Sequence, residues 1–194
     1  APEPPLEFRM PELSARPGVT LIQAVEVAVD GRMPSVTTLF LESGSKFVVS
    51  GPNGAGKSTF LNVLAGTLAP STGEIHHARG ARIAYLAQES PTATTLRARD
   101  AFNAHLGTLT SAGTLKEGEM ISLKSLGILS SADLNRPVRE LSMGQQRRLD
   151  LAMALATKPH VLLLDEPSNH LSISLVDELT EGLHLTKAAV IVAT

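Results

Sequence analysis

The sequence predicts an α/β fold with a mainly parallel sheet at its core. Three observations carry this: short, fully apolar runs that read as strands buried in a parallel sheet, helix-periodic segments between them, and a glycine-rich loop at one strand-to-helix junction. The runs are residues 47–50, 161–164 and 189–192, and the loop follows the first of them.

Composition sets the outer limits. At 194 residues the chain is one domain's worth, and 43% hydrophobic against 19% charged residues is enough to bury a real core. Twelve prolines and 15 glycines are too few for a low-complexity chain. The net charge of −2 argues against a chain that holds nucleic acid by bulk electrostatics alone and leaves room for local basic patches. With no cysteine there is no disulfide framework, thiolate zinc site or cysteine nucleophile. The apolar runs at 151–156 and 188–193 fall far short of the roughly 20 residues that cross a bilayer. The prolines and acids at the start are unlike a secretory signal. Together these fit a cytoplasmic address, which is the expectation, with no direct membrane insertion.

Along the chain, residues 1–17 read as a linker remnant. Alternation over 19–29 gives a strand, Asp30-Gly31 a turn, and 36–41 a second strand. A turn at 42–45 leads to the short strand 47–50, expected to be buried. Helical spacing over 59–65 is stopped by Gly66 and Pro70. Residues 74–77 and 82–87 read as two strands joined at Arg79-Gly80. The 90–140 segment is helical and loop material with weak periodicity. A firmer helix starts near Gln145 and ends before Pro159; strand 161–164, helix 175–184 and strand 189–192 complete the alternation.

The first chemical motif is Gly51-Pro52-Asn53-Gly54-Ala55-Gly56-Lys57-Ser58, a G-x-x-x-x-G-K-S phosphate loop, with Thr59 opening the helix. Its glycines let consecutive N–H groups wrap an anion at a helix N-terminus. Lys57 would reach the β and γ phosphates and Ser58 would bind Mg²⁺. A plain glycine-rich turn has a similar composition, but a strand before and a helix after favour the phosphate reading. The second motif is 161–167, where Asp165 and Glu166 end an apolar strand at the carboxyl edge of a parallel sheet. Asp165 would hold Mg²⁺ through water and Glu166 would take a proton from the attacking water. Alone, Asp-Glu at a strand end is more often a solvated turn. The third is Leu141-Ser142-Met143-Gly144-Gln145, in which Ser142 can also serve simply as a helix cap.

The phosphate loop, Gln88 at the end of Tyr85-Leu-Ala-Gln, the Leu-Ser-x-Gly-Gln stretch and the Asp-Glu-Pro strand stand in an order and spacing that resembles the ABC-type ATPases over about residues 18–194. The resemblance implies a P-loop fold of ABC type, with an antiparallel β portion beside the parallel core and a helical subdomain at about 90–140. It implies ATP and Mg²⁺ as cofactors. It also implies a second nucleotide-binding domain set head to tail, on the same full-length chain, so that Ser142, Met143, Gly144 and Gln145 serve the nucleotide of the opposite domain. Gln88 would sense Mg²⁺ and the attacking water. Met143 stands where the family usually has glycine, and Val29 falls near the place of the usual adenine-stacking aromatic.

Pro167-Ser-Asn-His170-Leu171 resembles the ABC-F class. Ser172, in place of a common Asp, together with Leu175-Val-Asp-Glu-Leu179, looks like the actinobacterial macrolide-resistance members. This implies a ribosome partner and protection of the ribosome from a drug; the alternative is the ATP-binding subunit of a membrane transporter. A third reading, a module that binds nucleotide without hydrolysing it, is opposed by the intact Lys57, Asp165 and Glu166. The chain is expected to be a second nucleotide domain that stops before the family's switch histidine, with little turnover of its own. His76-His77 lacks a second spaced pair and reads as surface, not metal. Arg97, Arg99, Arg136, Arg139, Arg147 and Arg148 could meet ribosomal phosphates, but each read singly is a solvated helix face.

Overall fold

The computed structural model describes residues 6–90 and 94–194. Residues 1–5 of the stretch read as linker, and 91–93 of the 90–140 segment, lie outside the described residues. Alternation at period two produces β1 (Thr20–Val29) and β2 (Met33–Glu42), joined by a tight turn at residues 30–32. β3 (Lys46–Val49) runs into the glycine-rich loop and α1 (Lys57–Ala65). Then follow β4 (Thr72–His77), β5 (Ile83–Leu86), α2 (Ala98–Ser111), the short α3 (Ser131–Leu134) and α4 (Met143–Ala156). β6 (Val161–Asp165), α5 (Ile173–Leu185) and β7 (Ala189–Ala193) close the alternation.

The chain divides into two compact units. One, made of Leu13–Gln88, Pro159–Pro167 and Thr186–Thr194, holds both sheets and α1. Its parallel sheet has the order β3-β7-β6-β5, and its antiparallel sheet the order β2-β1-β4. Helix α1 packs against strands of both sheets. It turns Phe60, Leu61, Val63 and Leu64 into a core with Leu21, Ile22, Leu41, Leu163 and Ile191. Burying each such side chain is worth about 2 kcal/mol, which outweighs the weak propensity of a nine-residue helix. All five residues of β6 are buried, which is why its sequence shows no alternation.

Two strand expectations need correction. The apolar run 47–50 predicts a buried strand, yet Phe47 is 41% and Val48 70% exposed. Among the described residues β3 lies at the edge of its sheet with β7 as its single neighbour, a situation its apolar composition does not reveal. The strands at 74–77 and 82–87 do not form a hairpin. β4 pairs antiparallel with β1, Ile22 opposite His77, while β5 pairs parallel with β6, Ile83 opposite Val161. The turn at Arg79-Gly80 thus carries the chain from one sheet to the other. Each partner is distant in sequence and leaves no local signal.

The other unit, residues 6–12, 89–90, 94–158 and 168–185, is helical. Helix α2 packs on α4, and His105 Nε2 donates to the Met153 carbonyl at 3.1 Å. α4 begins at Met143, two residues before the expected start, because Ser142 and Gln145 form a reciprocal capping box. Gln145 N–H donates to Ser142 Oγ at 3.2 Å, and Ser142 N–H donates to Gln145 Oε1 at 2.8 Å. Phe8, in the stretch read as linker, is buried; its N–H donates to Glu178 Oε2 at 2.8 Å. Arg147 is 2% exposed, so it is neither a solvated face nor available to phosphates. Arg99 and Arg136 pair with Asp100 and Asp133, at 3.6 and 3.4 Å.

Candidate nucleotide-binding site

The loop after β3 is shaped by backbone geometry. Ala55 N–H donates to the Pro52 carbonyl at 3.1 Å, and Gly54 and Gly56 take φ of 83° and 94°. At Gly56 glycine is required twice over: the left-handed φ disfavours any side chain, and a Cβ there would stand 2.6 Å from the Arg32 carbonyl oxygen. Gly56 is the N-cap of α1 and supplies no side-chain cap. The first amides of the helix, at its positive end, are thereby left for an anion.

The carboxylates come from the end of β6. Asp165 is 1% exposed, and Tyr85 Oη donates to its Oδ2 at 3.3 Å. Asn62 Nδ2 lies 3.3 Å from that phenol oxygen and donates to the Ser58 carbonyl at 2.8 Å, joining α1 to the acid through one phenol. Neither Asn62 nor Tyr85 was read as a site residue; the signal available was a polar Asn inside an otherwise apolar helix face. Glu166 is held with φ of 46°, strained for a non-glycine residue, and its N–H donates to the Ala193 carbonyl at 2.9 Å. Lys57 Nζ donates to the carbonyls of Gly51 and Thr194 at 2.5 and 2.8 Å and stands 3.8 Å from Glu166 Oε1.

These groups line one cleft of about 470 Å³, with Asn53, Gly54, Gly56, Lys57, Ser58, Thr59, Gln88, Asp165 and Glu166 on its walls. Gly51, Pro52 and Ala55 are absent from that lining and shape the loop behind it. Gly31 and Arg32 also line the cleft and were not anticipated. Val29, the residue nearest the expected base position, is buried in the core instead. The donor set fits a Mg²⁺ ion: one carboxylate, a hydroxyl and an amide oxygen are hard ligands that leave positions for water and phosphate oxygens. Among the described residues no group of three or more His, Cys, Asp and Glu could form an all-protein cage.

Ser142, Met143, Gly144 and Gln145 belong to the helical unit. Gly144 is pressed against the loop that follows the acids: a Cβ would lie 2.7 Å from the His170 carbonyl oxygen, and His170 itself has φ of 63°. Arg148 Nη2 donates to Ser172 Oγ at 3.2 Å, a second link between α4 and that loop. Met143 is 66% exposed. His77 Nε2 donates to the Leu64 carbonyl at 2.7 Å, and His76 lies 3.1 Å from Glu74. Among the described residues no helix is long and apolar enough to cross a membrane.

A family model described as ABC transporter matches residues 36–169. The chain is 38% identical over 179 residues to the tylosin resistance ATP-binding protein TlrC of Streptomyces fradiae, covering 92% of this chain and 31% of that protein. It is 33% identical over 181 residues to ABC transporter F family member 4 of Arabidopsis thaliana, covering 84% of this chain and 23% of that protein. It therefore spans about a quarter to a third of these relatives. Among solved structures, the dimeric post-hydrolysis state of the ATP-binding cassette MJ0796, bound to ADP and Pi, superposes with a TM-score of 0.72 at 21% identity, covering 90% of this chain and 88% of that one. At that identity the likeness speaks for the fold.

Proposed function

The chain belongs to the ABC transporter family, and on that premise we propose that it is an ATP-binding and hydrolysing domain of the ABC-F class, which couples nucleotide-driven pairing with a second such domain to ribosome binding. The carrying observation is the cleft in which an uncapped helix start, Lys57, Asp165 and Glu166 converge. The amides of residues 54–59 and the Lys57 ammonium bind a polyphosphate. Asp165, Ser58 and Gln88 would hold the Mg²⁺ that accompanies it, and that ion would supply charge neutralisation for phosphoryl transfer. Glu166, set beside the lysine, orients and deprotonates the attacking water.

The similarity to an F-family member and to a tylosin resistance protein supports the class. The Asn169-His170-Leu171 loop supports it from within the chain. On this reading residues 18–194 are the second of two nucleotide domains on one longer cytoplasmic protein, and residues 1–17 are linker. Ser142, Met143, Gly144 and Gln145 serve the nucleotide of the facing domain, and the function served is antibiotic resistance by ribosome protection. The Ser142-Gln145 capping box supports the role of the signature by holding that loop rigid at the start of α4.

Co-sedimentation of the full-length protein carrying Glu166→Gln with ribosomes in ATP is the test. Retention on ribosomes that depends on ATP is the expected result. Association with a membrane partner alone would instead identify a transporter subunit.

A further inference from the structure

We propose that Arg32 is the residue that contacts the base of the bound nucleotide, its guanidinium plane lying on the purine face. This rests on the reading of the cleft as a nucleotide site and extends it to a residue outside every motif. The remaining walls of the cleft are accounted for by the phosphate loop, Gln88 and the two acids, all of which serve phosphates, a metal or water. Lys57 and Glu166, 3.8 Å apart, mark the end of a triphosphate. Among the described residues the only lining that serves neither phosphate, metal nor water is Gly31 and Arg32, which leaves these two for the nucleoside. Gly31 offers backbone alone.

Arg32 is suited to the task. Its side chain is exposed and has no ion-pair or hydrogen-bond partner among the described residues, while its backbone is fixed. The Arg32 N–H donates to the Val29 carbonyl at 3.1 Å, and its own carbonyl packs against Gly56 at the start of α1. The guanidinium is thus carried on a rigid turn beside the loop that grips the phosphates. No aromatic residue lines the cleft among the described residues, and Tyr85 is committed to Asp165. A guanidinium stacks on an aromatic face through its flat, weakly hydrated surface, a contact that reads the ring and not its exocyclic groups. ATP and GTP should therefore bind alike.

Calorimetric titration of the 194-residue chain and its variants with ATP, GTP and inorganic tripolyphosphate tests this. Arg32→Ala should weaken ATP and GTP equally, by roughly three- to thirtyfold, the span of an exposed to a desolvated cation–π contact. Tripolyphosphate affinity should stay unchanged, and Arg32→Trp should restore nucleotide binding. Equal loss for tripolyphosphate would make Arg32 a phosphate ligand and overturn the assignment, as would Arg32→Ala binding like the parent. A parent chain that binds none of the three ligands would overturn the cleft reading itself, and this inference with it.

Discussion

Lys57 Nζ stands 3.8 Å from Glu166 Oε1, with side chains 11% and 25% exposed, so the cation of the phosphate loop and the acid after β6 share one partly desolvated space. A charge placed there acts on whatever occupies the gap between them.

Glu166→Gln in the full-length protein keeps the shape and loses the base. Hydrolysis should fall by roughly 10² to 10⁴-fold with ATP binding retained. Lys57→Ala should instead weaken binding. Parallel measurement of turnover and nucleotide affinity separates the two, and identical behaviour of the variants would refute both roles.

Gly56→Ala forces a side chain into a left-handed residue with 2.6 Å to the Arg32 carbonyl. The expected cost is about 2 kcal/mol or more, since strain and clash add. Thermal unfolding reads the loss, and nucleotide affinity should drop as the loop and the Arg32 turn part.

Tyr85→Phe removes the phenol that joins Asn62 to Asp165. About 1 kcal/mol of stability should go with the hydrogen bonds. The Mg²⁺ concentration needed for half-maximal hydrolysis should rise, because Asp165 Oδ2 then loses the phenol that orients it; Tyr85→Ala should do no better.

Ser142→Ala breaks the capping box of α4 and should cost about 1 kcal/mol, whereas Ser142→Asn, a good cap, should cost a few tenths. If Ser142 also serves a facing nucleotide, both variants lower hydrolysis in the full-length protein. Activity that tracks stability across the pair would leave Ser142 a cap and nothing more.

Asp150, on α4, has its carboxyl raised above the ordinary value by burial, against a Ser90 hydrogen bond and the charge of Arg147. A raised folded pKa means that folding favours the protonated acid. That contribution is complete below the unfolded value of about 4 and is lost as the pH rises through the folded value. Asp150→Asn should therefore match the parent in unfolding midpoint near pH 4 and exceed it at pH 8. A parent that gains on the variant across that range would contradict the sign.

The chemistry was more legible in the sequence than the fold was. Gly51 to Ser58 and Asp165-Glu166 are local strings whose spacing is itself the mechanism, and the structure brings both to one cleft. Gln88 reaches the same walls from the end of a strand. Pairing was far less readable. β4 and β5 sit either side of a good turn signal, yet each answers to a partner elsewhere in the chain. Phe47 and Val48 have the composition of a buried strand at an edge position that only the finished sheet defines. Arg32 belongs to no motif, and its place on the cleft depends on a close approach to Gly56 that no spacing rule encodes.

The order β3-β7-β6 places a chemically inert strand between the two that deliver the reacting groups. Adjacent strands lie about 4.8 Å apart, so the loop and the carboxylates depart from the sheet roughly 10 Å from each other. β7 works as a spacer gauge, and its last carbonyls touch both sides, Thr194 toward Lys57 and Ala193 toward Glu166. The backbone ladder sets that width: Ile191 stands in register between Phe47 and Leu163, and its peptide groups hold the two strands apart. The separation of the loop from the acids is thus kept by peptide groups that take no part in the reaction.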